Sequence, residues 1–257
     1  MKRVRFRDPA GAVRTGEWLD DDGDVAGTTS TGVAGQIRFA DRRYDPSEVD
    51  LLPPCEPSKI VCIGRNYAAH AEEFDNEVPD RPLLFLKPPN AVAAPESEVD
   101  LLPGKDRIDH EAELGVVIGD QCRNVDEADA MDVVAGFTCV DDVSNRDDQR
   151  EEQNWVRGKA FDGAAPLGPV VASPEHVPDD AHVELRVNGD VRQSSTRAKL
   201  FFSVPELIAE ITTYLTLEPG DVIATGTPEG VGPLAAGDAV EVEIEGVGTL
   251  RHGVSEA

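Results

Sequence analysis

Short stretches in which apolar and polar residues alternate, separated by Gly, Asp or Pro, recur along most of the chain. A period of two residues is typical of strands, and Gly, Asp and Pro are typical of the turns between them. The pattern predicts strands at 4–8, 13–20, 35–40, 59–64, 82–95, 112–119, 133–140, 221–228, 239–246 and 248–254.

Two segments follow the helical period instead. Apolar residues recur every three or four positions across 202–217, which predicts an amphipathic helix with one buried stripe. Pro205 fits the first turn of that helix, where its missing N–H would have no partner. A shorter helix is predicted at 65–74, directly after a strand. The buried stripe of the longer helix is predicted to comprise Val204, Leu207, Ile208, Ile211 and Leu215.

Strands outnumber helices in this pattern, and no regular βαβ alternation is present. The pattern therefore predicts an α+β, β-rich fold and argues against a Rossmann fold or a TIM barrel. The Pro-containing stretch 51–59, "LLPPCEPSK", indicates a boundary near residue 53. We expect a small N-terminal β-rich domain at 1–53 and a larger catalytic domain at 54–257.

Acidic residues dominate the charge of the chain. Its 257 residues include 50 Asp and Glu against 24 Lys and Arg, which gives a net charge of −26. Such a field repels nucleic acid and anionic membrane surfaces, so neither is expected as a partner. No apolar run approaches the roughly 20 residues of a membrane helix, and no secretory signal is visible. Four cysteines without a CxxC pair predict reduced, buried thiols and a cytoplasmic location.

The acidic residues are spread along the chain and do not form a tail. We therefore hypothesise a halophilic protein whose acidic surface is screened by concentrated salt. Unfolding measured across a KCl series tests this hypothesis. Equal stability at low and molar salt would contradict it.

The most informative segment for chemistry is 109–119, "DHEAELGVVIG". On a strand, Glu111 and Glu113 project to the same face, roughly 6–7 Å apart, and hard divalent cations prefer such oxygen ligands. The spacing alone is weak, because Glu-x-Glu also occurs at 96/98, 241/243 and 243/245. At 239–246 the glutamates alternate strictly with apolar residues, as on a half-buried strand. Both faces of 111–118 become apolar at one end, which indicates a strand covered on both sides.

Three further features have both a functional and a structural interpretation. Asp141 and Asp142 end a predicted strand, where carboxylates could point into a pocket or form a solvated turn. Lys159, one of six lysines, lies among apolar and turn residues. It could stabilise an oxyanion or lie on the surface. The turn 220–232 could offer N–H groups and hydroxyls to a carboxylate, or simply connect two strands.

His70 and Glu73 are three residues apart in the shorter predicted helix, so they share a face. A carboxylate that orients an imidazole makes a competent general base for water. An amphipathic surface helix explains the same residues. Considered alone, His70 and Glu73 therefore fit either interpretation.

Seven segments in order, covering roughly 57–252, together resemble the fumarylacetoacetate hydrolase family. They lie at 64–74, 81–92, 109–119, 139–149, 157–169, 217–233 and 236–250. The resemblance implies a mixed β-sheet roll and a homodimer. It also implies a site for Mg²⁺ or Mn²⁺, or Ca²⁺ in a crystal, with Glu111, Glu113 and Asp142 as metal ligands. By the same resemblance His70, Glu73 and Lys159 would be catalytic, and Arg65, Tyr67, Arg146, Gln149 and Thr227 would bind substrate.

The resemblance is to the shorter members of the family, and it implies chemistry on a 2-oxo or 2,4-dioxo carboxylic acid through a metal-stabilised enolate. C–C bond hydrolysis of an acylpyruvate-like or fumarylacetoacetate-like substrate is the reaction we expect. The alternatives are isomerisation of 2-hydroxyhepta-2,4-diene-1,7-dioate, decarboxylation of oxaloacetate, and a non-catalytic metal-stabilised binding protein. Asp141 and Asn145 stand where many members have Asn and Ala, which leaves the substrate preference open.

Overall fold

The computed structural model describes residues 1–20, 35–68 and 79–256. Within these ranges the chain forms twenty strands, named β1 to β20 in chain order. They are Lys2–Arg7, Val13–Leu19, Gln36–Phe39, Arg42–Tyr44, Asp50–Leu52, Ile60–Gly64, Leu83–Lys87, Val92–Ala93, Glu98–Leu101, Ile108–His110, Ala112–Ile118, Val134–Asp141, Ser144–Asn145, Ala165–Ala172, His182–Val187, Asp190–Thr196, Val222–Ala224, Gly232–Pro233, Ala239–Ile244 and Gly248–Glu256.

Helices are few and mostly short in the same ranges. The α-helices are Arg146–Glu151, Val156–Lys159 and Val204–Tyr214. The 3₁₀ helices are Pro46–Glu48, Pro89–Ala91, Glu127–Val133, Pro174–His176 and Arg197–Lys199. None of the helices in the described ranges is long and apolar enough to cross a membrane. The expected α+β, β-rich fold is confirmed.

The strands form three sheets. The largest has 12 strands in the order β4-β3-β2-β1-β14-β12-β11-β17-β6-β7, with β5 paired to β1 and β8 to β14. A five-stranded sheet has the order β16-β15-β19-β20-β9, and a three-stranded sheet the order β13-β10-β18. Most neighbours are antiparallel, but β17 and β6 run parallel. The sheets are therefore mixed, as expected.

Strands on both sides of residue 53 share the largest sheet. In β1, Lys2 is paired with Ala172 of β14, and Arg5 with Leu52 of β5. The N-terminal strands are thus hydrogen-bonded to the part of the chain that contains the candidate site. The division into 1–53 and 54–257 stays a prediction.

The centre of the large sheet is the antiparallel pair β11–β12. All seven residues of β11 are buried, which confirms the prediction that this strand is covered on both sides. Gly115 in β11 is required by packing, because a Cβ there would lie 2.8 Å from the side chains of Thr138 and Val140. Tight packing on both faces gives β11 and β12 fixed positions, so side chains at their ends are held rigidly.

The helix Val204–Tyr214 matches its sequence pattern. Ser203 and Glu206 form a capping box at its start, and Pro205 occupies the first turn. Four residues of the predicted stripe are buried, namely Val204, Leu207, Ile208 and Ile211. Leu215 is the partly buried C-cap residue.

β14 and the β15–β16 hairpin were not predicted from the sequence. In β14, Pro166 and Pro169 lack an N–H donor, so the segment lacks a normal strand signature. The hairpin does carry a local signal, because Asn188 and Gly189 at its turn both have positive φ, 54° and 82°. An Asn-Gly pair between alternating runs is a strong hairpin indicator.

Candidate metal centre and active site

The ends of β11 and β12 bring the three predicted ligands together. The register pairs Ala112 with Asp141, so Glu111 and Asp142 lie just beyond the paired ends of the two strands. The Asp142 N–H donates to the Glu111 carbonyl at 2.9 Å, which extends the pairing by one step. Carboxylate oxygens of Glu111, Glu113 and Asp142 all lie within 4.8 Å of one another. A shared ion requires such proximity.

A cavity of about 320 Å³ opens above these carboxylates. Glu111 and Glu113 line it, and Asp142 lies buried beside them. Five more of the predicted site residues contribute to its wall: Arg65, Arg146, Gln149, Lys159 and Thr227. The structure thus gathers these eight side chains around one cavity.

Tyr67 is the other described residue of the predicted site, and it is not among the residues that line this cavity. Tyr67 is 2% exposed, and its hydroxyl donates to the Thr196 carbonyl at 3.4 Å. Burial raises the pKa of the Tyr67 hydroxyl above its ordinary value. His70 and Glu73 fall outside the described residues, so their acid/base role stays a prediction.

Lys159 joins two of the three carboxylates. Its Nζ donates to Glu111 Oε2 at 2.8 Å and to Asp142 Oδ2 at 2.7 Å. Burial alone would lower the pKa of Lys159, but the charges of Asp142 and Glu111 outweigh burial and raise the pKa. With 3% exposure, Lys159 is a charged donor inside the site, so the surface-lysine interpretation is wrong.

Glu113 has a different electrostatic environment. Its Oε2 accepts the Gly226 N–H at 2.8 Å, and no described cation pairs with it. Burial is the main cause that raises the pKa of Glu113 well above its ordinary value, and the charges of Asp142 and Glu111 add to it. A nearby divalent cation would oppose both effects. An ion in the site would therefore favour the charged form of Glu113.

Arg146 starts the helix Arg146–Glu151 and is held from several sides. Its Nε donates to Asp109 Oδ2 at 2.8 Å, Nη1 donates to Gln149 Oε1 at 2.8 Å, and Nη2 lies 2.5 Å from Glu111 Oε1. Burial works to lower the pKa of Arg146, but Glu111 and Asp109 raise it overall, so the guanidinium stays charged. Asn145 caps this helix through the Asp147 and Asp148 N–H groups.

Lys87 is a site residue that the sequence analysis missed. It is 0% exposed, and its Nζ lies 2.7 Å from Asp142 Oδ1. The ammonium also donates to the carbonyls of Val143 and Ala164, at 3.1 and 2.8 Å. A lysine at the end of the apolar run "LLFLK" was the available signal, since lysine is rarely buried unless it is paired.

Asp141 supports the site from behind. Its Oδ1 accepts the Glu111 N–H at 2.7 Å, and its Oδ2 lies 2.8 Å from His252 Nε2. Asp141 and Asp142 are both 0% exposed, so the solvated-turn interpretation is wrong. His252 comes from β20 in the five-stranded sheet, more than a hundred residues away in sequence, and no local pattern indicated it.

The turn 220–232 does more than connect strands. The Gly226 N–H binds Glu113, and Thr227 reaches the cavity wall. Gly226 has φ of +100°, and a Cβ there would lie 2.8 Å from Asn66 Cβ. A glycine is therefore needed for the backbone to approach Glu113 this closely.

The side chains present fit a divalent cation. Glu111 and Asp142 form ion pairs with Lys87, Arg146 and Lys159. Glu113 lines the cavity and forms no ion pair within the described ranges. An all-oxygen donor set of three carboxylates is typical of sites for hard divalent ions.

Comparison with known proteins agrees with this geometry. The sequence profile described as "Fumarylacetoacetate (FAA) hydrolase C-terminal" matches residues 59–255. A bovine mitochondrial protein named oxaloacetate tautomerase FAHD2A is 42% identical over 220 residues, which cover 81% of this chain and 70% of the bovine protein. Both matches extend over most of the chain, and the profile match includes every described residue of the site.

Two solved structures are similar in fold and sequence. A 5-carboxymethyl-2-hydroxymuconate delta-isomerase from Mycobacterium smegmatis gives a TM-score of 0.88 at 38% identity, covering 100% of this chain and 99% of that one. A fumarylpyruvate hydrolase from Pseudomonas aeruginosa, in complex with Mn²⁺ and pyruvate, gives 0.74 at 33% identity. That match covers 80% of this chain and 92% of the hydrolase.

Proposed function

Because this chain belongs to the fumarylacetoacetate hydrolase family, we propose that it is a divalent-metal-dependent enzyme acting on a 2-oxo or 2,4-dioxo carboxylic acid. The proposed reaction is hydrolysis of the C–C bond of an acylpyruvate-like substrate. The observation that carries the proposal is the cluster of Glu111, Glu113 and Asp142 beside a cavity that also contains a buried, charged Lys159.

Glu111, Glu113 and Asp142 would hold Mg²⁺ or Mn²⁺. When bound, such an ion polarises the carboxylate and keto oxygens of a 2-oxo acid and favours negative charge at the adjacent carbon. The similarity to a fumarylpyruvate hydrolase solved with Mn²⁺ and pyruvate supports this choice of ion and ligand class.

Three uncharged or cationic donors on the wall suit the carboxylate of such a substrate. The Arg146 guanidinium is fixed in place by Asp109, and the Gln149 Oε1 is already occupied by Arg146. The amide hydrogens of Gln149 have no acceptor in the described part of the chain and can therefore face a ligand. Thr227 adds a hydroxyl from the opposite turn.

Lys159 is suited to stabilise charge on the reacting carbonyl. Two of its three N–H donors bind Glu111 and Asp142, which leaves one for a ligand. In the proposed reaction, water adds to the C4 carbonyl, and Lys159 donates to the oxyanion that forms. The C3–C4 bond then breaks, its electron pair goes to C3, and protonation gives pyruvate and a second carboxylic acid. His70 and Glu73 are proposed as the acid/base pair on the basis of the family resemblance.

Two arginines on the wall favour a substrate with a second carboxylate. Arg65 and Arg150 both line the cavity. Within the described ranges, neither guanidinium forms a hydrogen bond or an ion pair, unlike most arginines of this acidic chain. A guanidinium group without a protein partner can bind a carboxylate through two parallel hydrogen bonds. We therefore propose that the distal end of the substrate is anionic.

Isomerisation or tautomerisation is the second candidate reaction. The bovine relative is named a tautomerase, and the mycobacterial structure is named an isomerase. These reactions need the same carboxylate anchoring but only a proton transfer, without water attack. Decarboxylation of oxaloacetate needs neither water attack nor a distal acyl group.

A panel of substrates followed by ultraviolet absorbance separates these reactions. Acetylpyruvate, fumarylpyruvate, oxaloacetate and a hydroxymuconate-type dienol would each be tested with Mg²⁺ and with Mn²⁺, and pyruvate release measured separately. We expect metal-dependent pyruvate release, faster from fumarylpyruvate than from acetylpyruvate. Absorbance change without pyruvate would favour the isomerase candidate. No turnover of any compound would contradict an enzymatic role.

We also propose a homodimer located in the cytoplasm, with a surface adapted to high salt. The dimer and the location follow from the family resemblance and from the cysteine usage. The salt adaptation follows from the net charge of −26. Sedimentation velocity and the KCl series described above test the first and the last.

A further inference from the structure

Gln193 connects two parts of the candidate site although it belongs to a different sheet. It lies in β16 of the five-stranded sheet and is 1% exposed. Its side chain contacts His110 and Ala112, on either side of Glu111, and also Thr227 and Pro228 in the turn at the cavity. No motif in the sequence pointed to this residue.

Two backbone groups determine which end of the Gln193 amide is oxygen. The Ala112 N–H, 3.0 Å away, can only donate, so the atom facing it is Oε1. The Pro228 carbonyl, 2.8 Å away, can only accept, so the atom facing it is Nε2. The amide cannot be flipped without breaking both bonds. His110 Nδ1, 3.1 Å from Oε1, must therefore carry a hydrogen.

This orientation also determines the direction of the Thr227 hydroxyl. Gln193 Nε2 donates to Thr227 Oγ1 at 2.7 Å, so the oxygen is the acceptor in that bond. The hydroxyl hydrogen must therefore point elsewhere, and the Thr227 side chain makes no other hydrogen bond within the described part of the chain. Thr227 lines the cavity. The direction left for its hydrogen is into the cavity.

We propose that Gln193 is a positioning residue that makes the Thr227 hydroxyl a donor to an acceptor oxygen of the ligand. A carboxylate oxygen of the ligand can accept the hydrogen bond from the Thr227 hydroxyl. A ligand N–H group in the same place would leave that hydroxyl hydrogen without an acceptor. The inference rests on the proposed function, because it takes the ligand to be a 2-oxo acid. Gln193, a residue of the five-stranded sheet, would thus contribute to the specificity for a 2-oxo acid.

Thr225 provides a matched comparison two residues earlier. Its hydroxyl donates to the Leu114 carbonyl at 2.9 Å, and the residue is 0% exposed. That hydrogen is used inside the protein and has no route to a ligand. Thr225→Val is therefore the control for Thr227→Val, since both remove a buried hydroxyl from the same turn.

The experiment measures oxalate binding to the Mn²⁺-loaded protein by calorimetry. Oxalate is a small dianion that mimics the carboxylate and keto oxygens of a 2-oxo acid. Thr227→Val should weaken oxalate binding about tenfold, the effect of one hydrogen bond to a charged group. Thr227→Ser, which keeps the hydroxyl, and Thr225→Val should each stay within about twofold of the parent protein.

Gln193→Glu tests the orientation directly. The new carboxylate can accept the Thr227 hydrogen and turn it away from the cavity, so oxalate binding should weaken. This loss should be about tenfold larger with Thr227 present than in the Thr227→Val background. A purely structural or charge effect of Gln193→Glu would be equal in both backgrounds and would overturn the inference.

Two further measurements keep the outcomes separate. Thermal unfolding shows whether Gln193→Glu is folded, and, if it is not, the uncharged Gln193→Met variant replaces it in the same cycle. Mn²⁺ titration shows whether the metal site is intact in each variant. Absence of oxalate binding to the parent protein with Mn²⁺ would contradict the proposed function. Parent binding combined with equal losses in both backgrounds would contradict only the role of Gln193.

Discussion

Two pairs of glutamates with the same spacing, on strands of two different sheets, have different environments. Glu111 and Glu113 lie at the end of β11, in the centre of the large sheet. Glu241 and Glu243 lie on β19 of the five-stranded sheet, alternating with buried Val240, Val242 and Ile244. The side chain of Glu111 is 6% exposed, whereas that of Glu243 is 45% exposed.

The partners of the two pairs differ as well. Glu243 accepts from Arg186 at 2.8 Å, and Glu241 accepts from Arg251 at 2.7 Å, on the open face of the five-stranded sheet. Both arginine side chains are also partly exposed. In the first pair, Glu113 has only a backbone N–H as partner among the described residues. Both glutamates of the partly exposed pair have an arginine partner, whereas in the buried pair Glu111 is paired with Lys159 and Arg146 and Glu113 forms no ion pair with a described cation.

The comparison shows that the spacing of two carboxylates does not make a metal site. Exposed carboxylates are neutralised by water and nearby arginines at small cost, so they need no ion. Buried carboxylates need a cation or several hydrogen bonds to offset desolvation. Burial therefore distinguishes the candidate metal site, and variants of Glu111 and Glu113 are expected to behave differently from variants of Glu241 and Glu243.

The largest expected effect is on turnover. Glu111→Gln and Asp142→Asn each remove a proposed ligand, and we expect kcat/KM to fall at least about 10³-fold on the best substrate of the panel. Glu241→Gln, the partly exposed control, should leave kcat/KM within about twofold, because Glu241 pairs with Arg251 in the five-stranded sheet and does not line the cavity. Similar losses in the buried and exposed variants would contradict the proposed site.

Substitution of Lys159 is expected to have the next largest effect on turnover. Lys159→Met removes the proposed oxyanion donor, and kcat should fall about 10²–10³-fold while KM changes much less. Lys199→Met, in an exposed 3₁₀ turn, is the matched control and should have no effect on kcat. A rise in KM with kcat unchanged would mean that Lys159 only binds substrate.

Glu113→Gln is expected to raise the stability of the metal-free protein and to lower it, relative to the parent, when the metal ion is bound. Its pKa is raised in the folded protein, so its contribution to stability is present at low pH and is lost as pH rises through the folded pKa. Glu113→Gln removes that loss. The metal-free variant should therefore unfold about 2–6 °C higher than the parent at pH 8, with a smaller difference near pH 5.

Saturating Mn²⁺ should reverse this order, because only the parent protein gains stability from the ion. Differential scanning calorimetry with and without Mn²⁺ measures both differences. A metal-free Glu113→Gln variant less stable than the parent at pH 8 would show that the carboxylate is already well compensated without an ion.

The elements of the fold that follow a local hydrophobic pattern could be predicted from the sequence. Strands such as β11 and β19 and the helix Val204–Tyr214 follow their hydrophobic periods, and the structure confirms them. β14 was missed because Pro166 and Pro169 hide its strand character, which only the neighbouring strands β1 and β12 provide. Tertiary pairing thus overrides local propensity at that strand.

Site residues that lie in the motifs of the family were predicted from the sequence. Residues that reach the site only through long-range contacts were missed. Glu111, Glu113, Asp142 and Lys159 were named from the sequence, and the structure brings them together. His252 and Gln193 come from the five-stranded sheet, and no spacing along the chain could connect them to Glu111. Such residues become visible only when the sheets are packed.

The smallest expected effect concerns the exposed charges of the five-stranded sheet. Arg186→Met removes the partner of Glu184, Glu241 and Glu243, and should cost about 0.5–1 kcal/mol of unfolding free energy at low salt. The cost should become smaller in 1 M KCl, because salt screens exposed charges. Chemical denaturation at both salt concentrations measures the difference. A cost that is larger at high salt would contradict the description of this face as exposed.

A Mn²⁺ titration of three proteins, followed by calorimetry, tests the central claim most directly. The parent protein and Glu243→Gln should bind one Mn²⁺ per chain with equal affinity. Glu113→Gln should bind at least about 100-fold more weakly, because a ligand of the buried cluster is lost. Equal binding by Glu113→Gln and Glu243→Gln, or no binding by the parent protein, would contradict the claim that the buried carboxylates form the metal site.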